Sequence, residues 1–329
     1  MLNKKLNLSA KLFDKDLEVV PTRNGYGEGL VELGGKNDKV FVLTADLADS
    51  TRALEFAKKF PERFIEVGVA EQNMMGIAAG LAANDKIPFV SSYAVFSPGR
   101  SWDQMRVSVA LSNLNVKIAG AHAGVSVGPD GATHQALEDI AITRVLPNMT
   151  VVVPCDYYET KRATLEAASY AGPFYMRFAR EETPVITSPS TDFDIGRAAI
   201  FWESKKPQVA IIGCGPLVYE CLLAARELEE SGIGSVVVNN HTIKPLDEAT
   251  ITACAKKCGA VVTVEEHQIA GGMGSAVSEV LAKNYPVPMG FIGMQDRFGE
   301  SGEPGELISK FGMEKGSIIQ AAKKVIARK

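Results

Sequence analysis

The sequence predicts an α/β protein made of two consecutive three-layer domains with mostly parallel sheets. Apolar runs of strand length alternate with helix-period segments from one end of the chain to the other, the pattern of strands joined by crossover helices. The alternation is interrupted once, by the polar, Pro- and Ser-containing stretch EETPVITSPSTDFDIG (181–196), and then starts afresh. The 329 residues suffice for about two substantial cores. The expected organisation is an N-terminal extension (1–21), a first domain (22–186), a linker (187–198) and a second domain (199–329).

The first domain should place strands at KVFVLTAD (39–46), RFIEVGV (63–69), IPFVSSYAVF (87–96), NVKIAGAHAG (115–124), MTVVVPCD (149–156) and PFYMRFAR (173–180), with helices at 71–84, 100–112 and 157–171. The helix at 71–84 rests on Met74, Ile77, Ala78, Leu81 and Ala82, which repeat with the helical period along one face. Beyond the linker come a strand at 207–215, a helix to about Gly232 and a strand at 235–243. A helix at 247–258, a strand at 260–267, a helix at 274–284 and a terminal helix in EKGSIIQAAKKVIARK complete the series.

Hydrophobic residues make up 46% of the chain and charged residues 22%, with a net charge of −4. That balance gives no electrostatic reason to expect nucleic acid or an anionic membrane as partner. No apolar stretch approaches the ~20 residues that span a bilayer, and MLNKKLNLSAKLFDKD lacks the apolar centre of a signal peptide. The five cysteines (Cys155, Cys214, Cys221, Cys254, Cys258) are odd in number and unpaired in spacing. Reduced thiols in a cytoplasmic protein are expected, with no metal site.

Chemistry-bearing residues cluster where parallel strands should end. In FIEVGVAEQNMMGIAAG, Glu71 stands between an apolar strand and an apolar helix. Such an acid either caps the helix and offsets its dipole, or faces a ligand at the sheet edge. TADLADS supplies Asp46 and Ser50, which suit turn chemistry as well as a site. AHAGVSVGPDGATHQ brings His122, Asp130 and His134 into one Gly-rich loop, although PDG is also a turn signal. Two of the chain's four histidines lie in that loop, which favours a role for the pair. PTRNGY supplies Arg23; Arg177 and Arg180, at the end of an apolar strand, are either surface charges or anion ligands. The Gly-rich steps GCGP (213–216) and GGMG (271–274) read as packing or interface features.

Taken in order, TADLADS, FIEVGVAEQNM, SSYAVF, DGATHQ, VVVPCD and GPFYMRFAR resemble the pyrimidine-binding domain of the transketolase family of thiamine diphosphate enzymes. KPLD, VEEHQIAGGMGSAV and the terminal helix resemble that family's C-terminal domain, so the likeness spans nearly everything after Thr22. The resemblance implies that Glu71 bonds the ring nitrogen of the cofactor's aminopyrimidine and promotes formation of the reactive ylide. It implies that Phe96 stacks on that ring with Tyr93 nearby, and that Asp130 and His134 read sugar hydroxyls and the reacting carbonyl. Arg23, Ser50, His122 and Arg180 match positions that hold the substrate phosphate, and Asp46 matches one associated with substrate hydroxyls. On this likeness Glu71, His134 and His122 are the catalytic candidates.

Two relatives are less similar. Deoxyxylulose-phosphate synthase shares the AEQ and THQ signatures but carries a phosphate-holding arginine at or beside the place of His122. The β subunit of oxo-acid dehydrogenases has the same two domains and little use for DGATHQ. The sequence also holds no Gly-Asp-Gly, the signature of the family's diphosphate- and metal-binding domain. The resemblance therefore implies the C-terminal subunit of a split transketolase, acting on sugar phosphates. A separate N-terminal subunit would bind the diphosphate and Mg2+ (or Ca2+ or Mn2+), in an α2β2 assembly. A non-catalytic scaffold is the reading of a different class, opposed by the completeness of the site.

Overall fold

Parallel pairing sets the layout of the computed structural model, which describes Met1–Lys329. The first sheet has seven strands, in spatial order Thr242–Lys244, Thr150–Val152, Phe174–Arg177, Lys117–Ala121, Ile87–Tyr93, Val40–Thr44 and Phe64–Glu66. Every neighbouring pair is parallel except the first. The central strands carry near-continuous apolar runs because helices cover both faces. The second sheet runs Met289–Met294, Val261–Gln268, Pro207–Gly213, Gly234–Asn239 and Ala199–Glu203, with only the last strand antiparallel. No helix is long and apolar enough to cross a membrane. All five cysteines are buried and free.

Several elements differ from the sequence expectation. The strand expected at 235–243 breaks at Asn240, and Thr242–Lys244 crosses to the first sheet, where it pairs with Thr150–Val152. The helix expected at 100–112 is a short α-turn, Trp102–Gln104, followed by a π-helical stretch, Met105–Ala110. Thr22–Lys36 forms a helix despite its five glycines, two of which, Gly25 and Gly29, let it lie close against the Tyr157–Ser169 helix. A Cβ on Gly25 would lie 2.2 Å from the Tyr157 carbonyl oxygen, and one on Gly29 would lie 2.8 Å from Thr164 Cβ.

The polar stretch after Arg180 is bolted down rather than loose. Glu182–Pro184 pairs antiparallel with Val19–Pro21. The Ile186 and Thr187 N–H groups donate to Asp156 Oδ2 at 2.8 and 2.5 Å, while Asp156 Oδ1 caps the Tyr157–Ser169 helix by accepting from the Glu159 N–H. Buried apolar side chains run without a break from Leu43 and Met74 through Val153 to Ile212 and Val238, so the two halves share a core.

Arg177, read from sequence as a surface charge or anion ligand, is neither. It is 3% exposed, and its Nε donates to Asp139 Oδ2 at 2.9 Å. Its Nη2 donates to the carbonyls of Ala136 (3.2 Å) and of Glu266 in the second half (2.7 Å). Tyr175 Oη donates to the same Asp139 oxygen at 2.7 Å. Burial demanded internal acceptors, and these engage Nε and Nη2 of the guanidinium. Asp139→Ala would leave this cation buried without its carboxylate and should cost about 3–5 kcal/mol of stability in urea unfolding. A loss below about 1 kcal/mol would show that the tie is dispensable.

Candidate active site

Because six of the seven strands of the first sheet run the same way, their carboxyl ends lie along one edge. Asp46 follows Val40–Thr44, Glu71 follows Phe64–Glu66, Tyr93 ends Ile87–Tyr93, His122 follows Lys117–Ala121 and Arg180 follows Phe174–Arg177. Arg23 arrives from elsewhere in the chain. Its neighbour Thr22 both donates its hydroxyl to the Ala179 carbonyl and accepts the Ala179 N–H, each at 3.0 Å. One hydroxyl thus anchors the backbone of Arg23 beside that of Arg180.

At one end of the site, Glu71 opens the Glu71–Ala83 helix and is 4% exposed. Its Oε1 accepts from Arg100 Nη1 at 2.9 Å. The Arg100 guanidinium lies over the Phe96 ring, 4.3 Å from its centroid. Phe96 and Tyr93 stack with centroids 5.8 Å apart. His134 meets the edges of both rings, at 5.3 and 6.1 Å, and His122 lies 4.1 Å from Tyr93. A buried acid beside an aromatic shelf suits a flat nitrogen heterocycle that offers a hydrogen bond from its edge.

At the other end, Arg23 Nη1 donates to the Ser50 carbonyl at 3.1 Å and faces His122 Nε2 at 3.3 Å. A guanidinium can only donate, so Nε2 accepts and Nδ1 carries the imidazole proton. Both His122 Nδ1 and Arg23 Nε are buried without a partner. Two unpaired donors side by side call for an acceptor, and an anion is the natural one. Burial first, then the Arg23, Arg180 and Arg52 charges, push the His122 pKa down to about 3. The Arg23 pKa is lowered as well, mainly by burial and by Arg52 and Arg180. Arg180 reaches Asp130 Oδ2 at 3.5 Å and donates to the Val127 carbonyl at 3.0 Å.

The structure therefore links Phe96, Tyr93, His134, His122, Arg23 and Ser50 by direct contacts, ties Glu71 to them through Arg100, and joins Asp130 to Arg180. Ser50 takes part through its carbonyl. Asp46 stands apart: its side chain is exposed, and its backbone N–H donates to Glu66 Oε1 at 2.8 Å. Asp46, Arg52 and His122 all have left-handed backbone (φ 60°, 65° and 55°), strain of the kind that gathers at functional sites. Two contributors escaped sequence reasoning. Arg100, at the start of the helix expected at 100–112, was given no role in the sequence reading. Glu266 comes from the second half, where its Oε1 accepts the Ser126 N–H at 2.5 Å and fixes the loop that carries Asp130.

The GGMG step is also explained without a ligand. Glu265 Oε2 and Oε1 accept the Met273 and Gly274 N–H groups at 2.6 and 2.8 Å, so an internal carboxylate already occupies that helix start. A Cβ on Gly272 would fall 2.2 Å from Glu265 Oε2.

His122 should stay neutral, with its proton on Nδ1, from pH 8 to pH 5 in histidine 15N NMR; a midpoint near 6.5 would contradict the geometry. A folded-state pKa below the unfolded one contributes stability above about pH 6.5 that is lost as pH falls toward 3. Acid unfolding should therefore steepen within that window and soften in His122→Gln.

Comparison with known proteins places this chain in a family. Residues 18–185 match the family model for the transketolase pyrimidine-binding domain, and residues 199–318 match that for the transketolase C-terminal domain. A Methanocaldococcus jannaschii protein bearing the name of a transketolase C-terminal section is 47% identical, covering 91% of this chain and 94% of its own length. The 6-deoxy-6-sulfo-D-fructose transketolase subunit SqwH of Clostridium sp. strain MSTE9 is 41% identical, covering 96% and 98%. Rat transketolase is 40% identical over 94% of this chain, which spans only 49% of that protein. Among solved structures, a split gene transketolase in an inactive β4 tetramer superposes with a TM-score of 0.86 at 43% identity, covering 94% of this chain and 99% of that one. The chain belongs to the transketolase family and corresponds to its C-terminal section, a pyrimidine-binding domain followed by the C-terminal domain.

Proposed function

We propose that this chain is the pyrimidine-side subunit of a two-chain transketolase that moves a two-carbon ketol unit between sugar phosphates. The observation that carries the reading is the pairing of a buried acid and aromatic shelf at one end of the site with two unpartnered donors at the other. When bound, thiamine diphosphate supplies the carbon nucleophile for ketol transfer. Glu71 holds its carboxylate at the start of a rigid helix, where Oε1 can share a proton with the aminopyrimidine ring nitrogen. Phe96 and Tyr93 provide the stacking surface. Arg23, His122, Ser50 and Arg180 surround the substrate's anionic end, since a phosphate dianion accepts the Arg23 Nε–H and His122 Nδ1–H that lack partners. Asp130 and His134 read the sugar hydroxyls, and His134 is placed for proton exchange at the reacting oxygen. Asp46 lies farther out, as a contact to a substrate hydroxyl.

Two relatives support the split. The solved split gene transketolase is an inactive β4 tetramer, and SqwH is named as a subunit. The missing diphosphate and Mg2+ ligands would come from a separate N-terminal subunit, within an α2β2 assembly. The sulfonated sugar in the SqwH name also fits an anion-binding end.

In the assembled complex, Glu71→Gln should lower kcat at least 100-fold while leaving the KM of the sugar phosphate within about threefold, because it removes the shared proton and not the anion contacts. Arg23→Met should raise that KM at least tenfold with a smaller change in kcat. Unchanged turnover in Glu71→Gln would mark the subunit as a scaffold.

A further inference from the structure

Glu71 and Phe96 are the two groups expected to receive the aminopyrimidine, one by a hydrogen bond and one by stacking. In this structure a single side chain makes both contacts. Arg100 Nη1 donates to Glu71 Oε1 at 2.9 Å, and its guanidinium carbon lies 4.3 Å from the Phe96 centroid. A guanidinium is planar, donates along its edges and stacks on aromatic faces, so it reproduces the contacts of a flat heterocycle.

The turn is built to present it. The Arg100 N–H donates to the Phe96 carbonyl at 2.7 Å, folding the chain back over that ring. A Cβ on Gly99 would lie 2.1 Å from the Val95 carbonyl oxygen, so the fold-back needs a glycine. Gln72 Nε2, beside Glu71, donates to the Arg100 carbonyl at 3.3 Å. Exposure differs sharply between the partners: the Glu71 side chain is 4% exposed and that of Arg100 52%. A carboxylate buried that deeply is costly without a partner, while a half-exposed arginine can swing into water at little cost.

We propose that Arg100 is a placeholder for the aminopyrimidine: it neutralises Glu71 and covers Phe96 until the cofactor arrives, and must leave both for the ring to bind. This rests on the thiamine diphosphate reading of the site. It makes cofactor loading a competition between two flat donors for one acid, and it keeps the chain stable before assembly.

The test has two arms. In the first, thiamine diphosphate binding with Mg2+ is measured by calorimetry on the assembled complex, without sugar. Arg100→Met should bind about tenfold more tightly than wild type, the worth of one cation–π contact and a half-exposed ion pair. Equal or weaker binding would overturn the placeholder and make Arg100 a bystander or a cofactor ligand. In the second arm, thermal unfolding is followed on the isolated full chain without cofactor. Arg100→Met should lower the midpoint by several degrees, and the drop should vanish in the Glu71→Gln background. A drop that persists there would overturn the pairing with Glu71. Failure of the wild-type complex to bind thiamine diphosphate at all would instead remove the functional reading, and the placeholder with it.

Discussion

The buried Arg177 guanidinium constrains everything around it, because a cation cut off from water must find all its acceptors inside the protein. It finds three of them on two distant stretches: the Ala136 carbonyl and Asp139 on one, and the Glu266 carbonyl on the other. The strand bearing Arg177 leads directly to Arg180. Ala136 and Asp139 close the loop that begins at His122, and Glu266 belongs to the other half of the chain. One side chain therefore fixes the order of strand, loop and neighbouring domain. Glu266 adds a second fastening through the Ser126 N–H. The C-terminal half thus does structural work at the site without entering it.

Upon that frame sit two chemically opposite seats about an aromatic bridge. Glu71 is an acceptor, buried at a helix start where the dipole tolerates negative charge. Arg23 and His122 are donors, crowded with Arg52 and Arg180, so no proton can be added to the imidazole without meeting positive neighbours. Tyr93 touches Phe96 on one side and His122 on the other. One seat suits the edge of a flat heterocycle and the other an anionic group. On the proposed function, the cofactor ring and the substrate's charged end would be held apart while carbon atoms meet between them.

Much of this was legible in the sequence. Glu71 stood out because an acid between two apolar runs is costly without a task, and the loop of His122, Asp130 and His134 because glycines and rare residues coincide there. Arg177 and Arg180 looked alike in sequence, three residues apart at one strand end, yet one is sealed in the interface and the other borders the site. Burial alone separates them, and that depends on Asp139 and Glu266, which are distant in the chain. The helix Thr22–Lys36 was hidden by glycines whose value lies in close packing against Tyr157 and Thr164. Thr242 and Ile243 were read as the end of the strand expected at 235–243 because nothing local reveals that Thr242–Lys244 joins the other sheet. Arg100 was missed for the same reason: its meaning comes from Glu71, 29 residues away.

The most direct measurement is ketol transfer from xylulose 5-phosphate to ribose 5-phosphate, with thiamine diphosphate and magnesium, by the pure chain and by the chain purified with its binding partner. Turnover confined to the two-chain complex is the predicted result. Turnover by the pure chain alone would contradict the split-enzyme account, because the diphosphate and its metal would then have to be held within these residues.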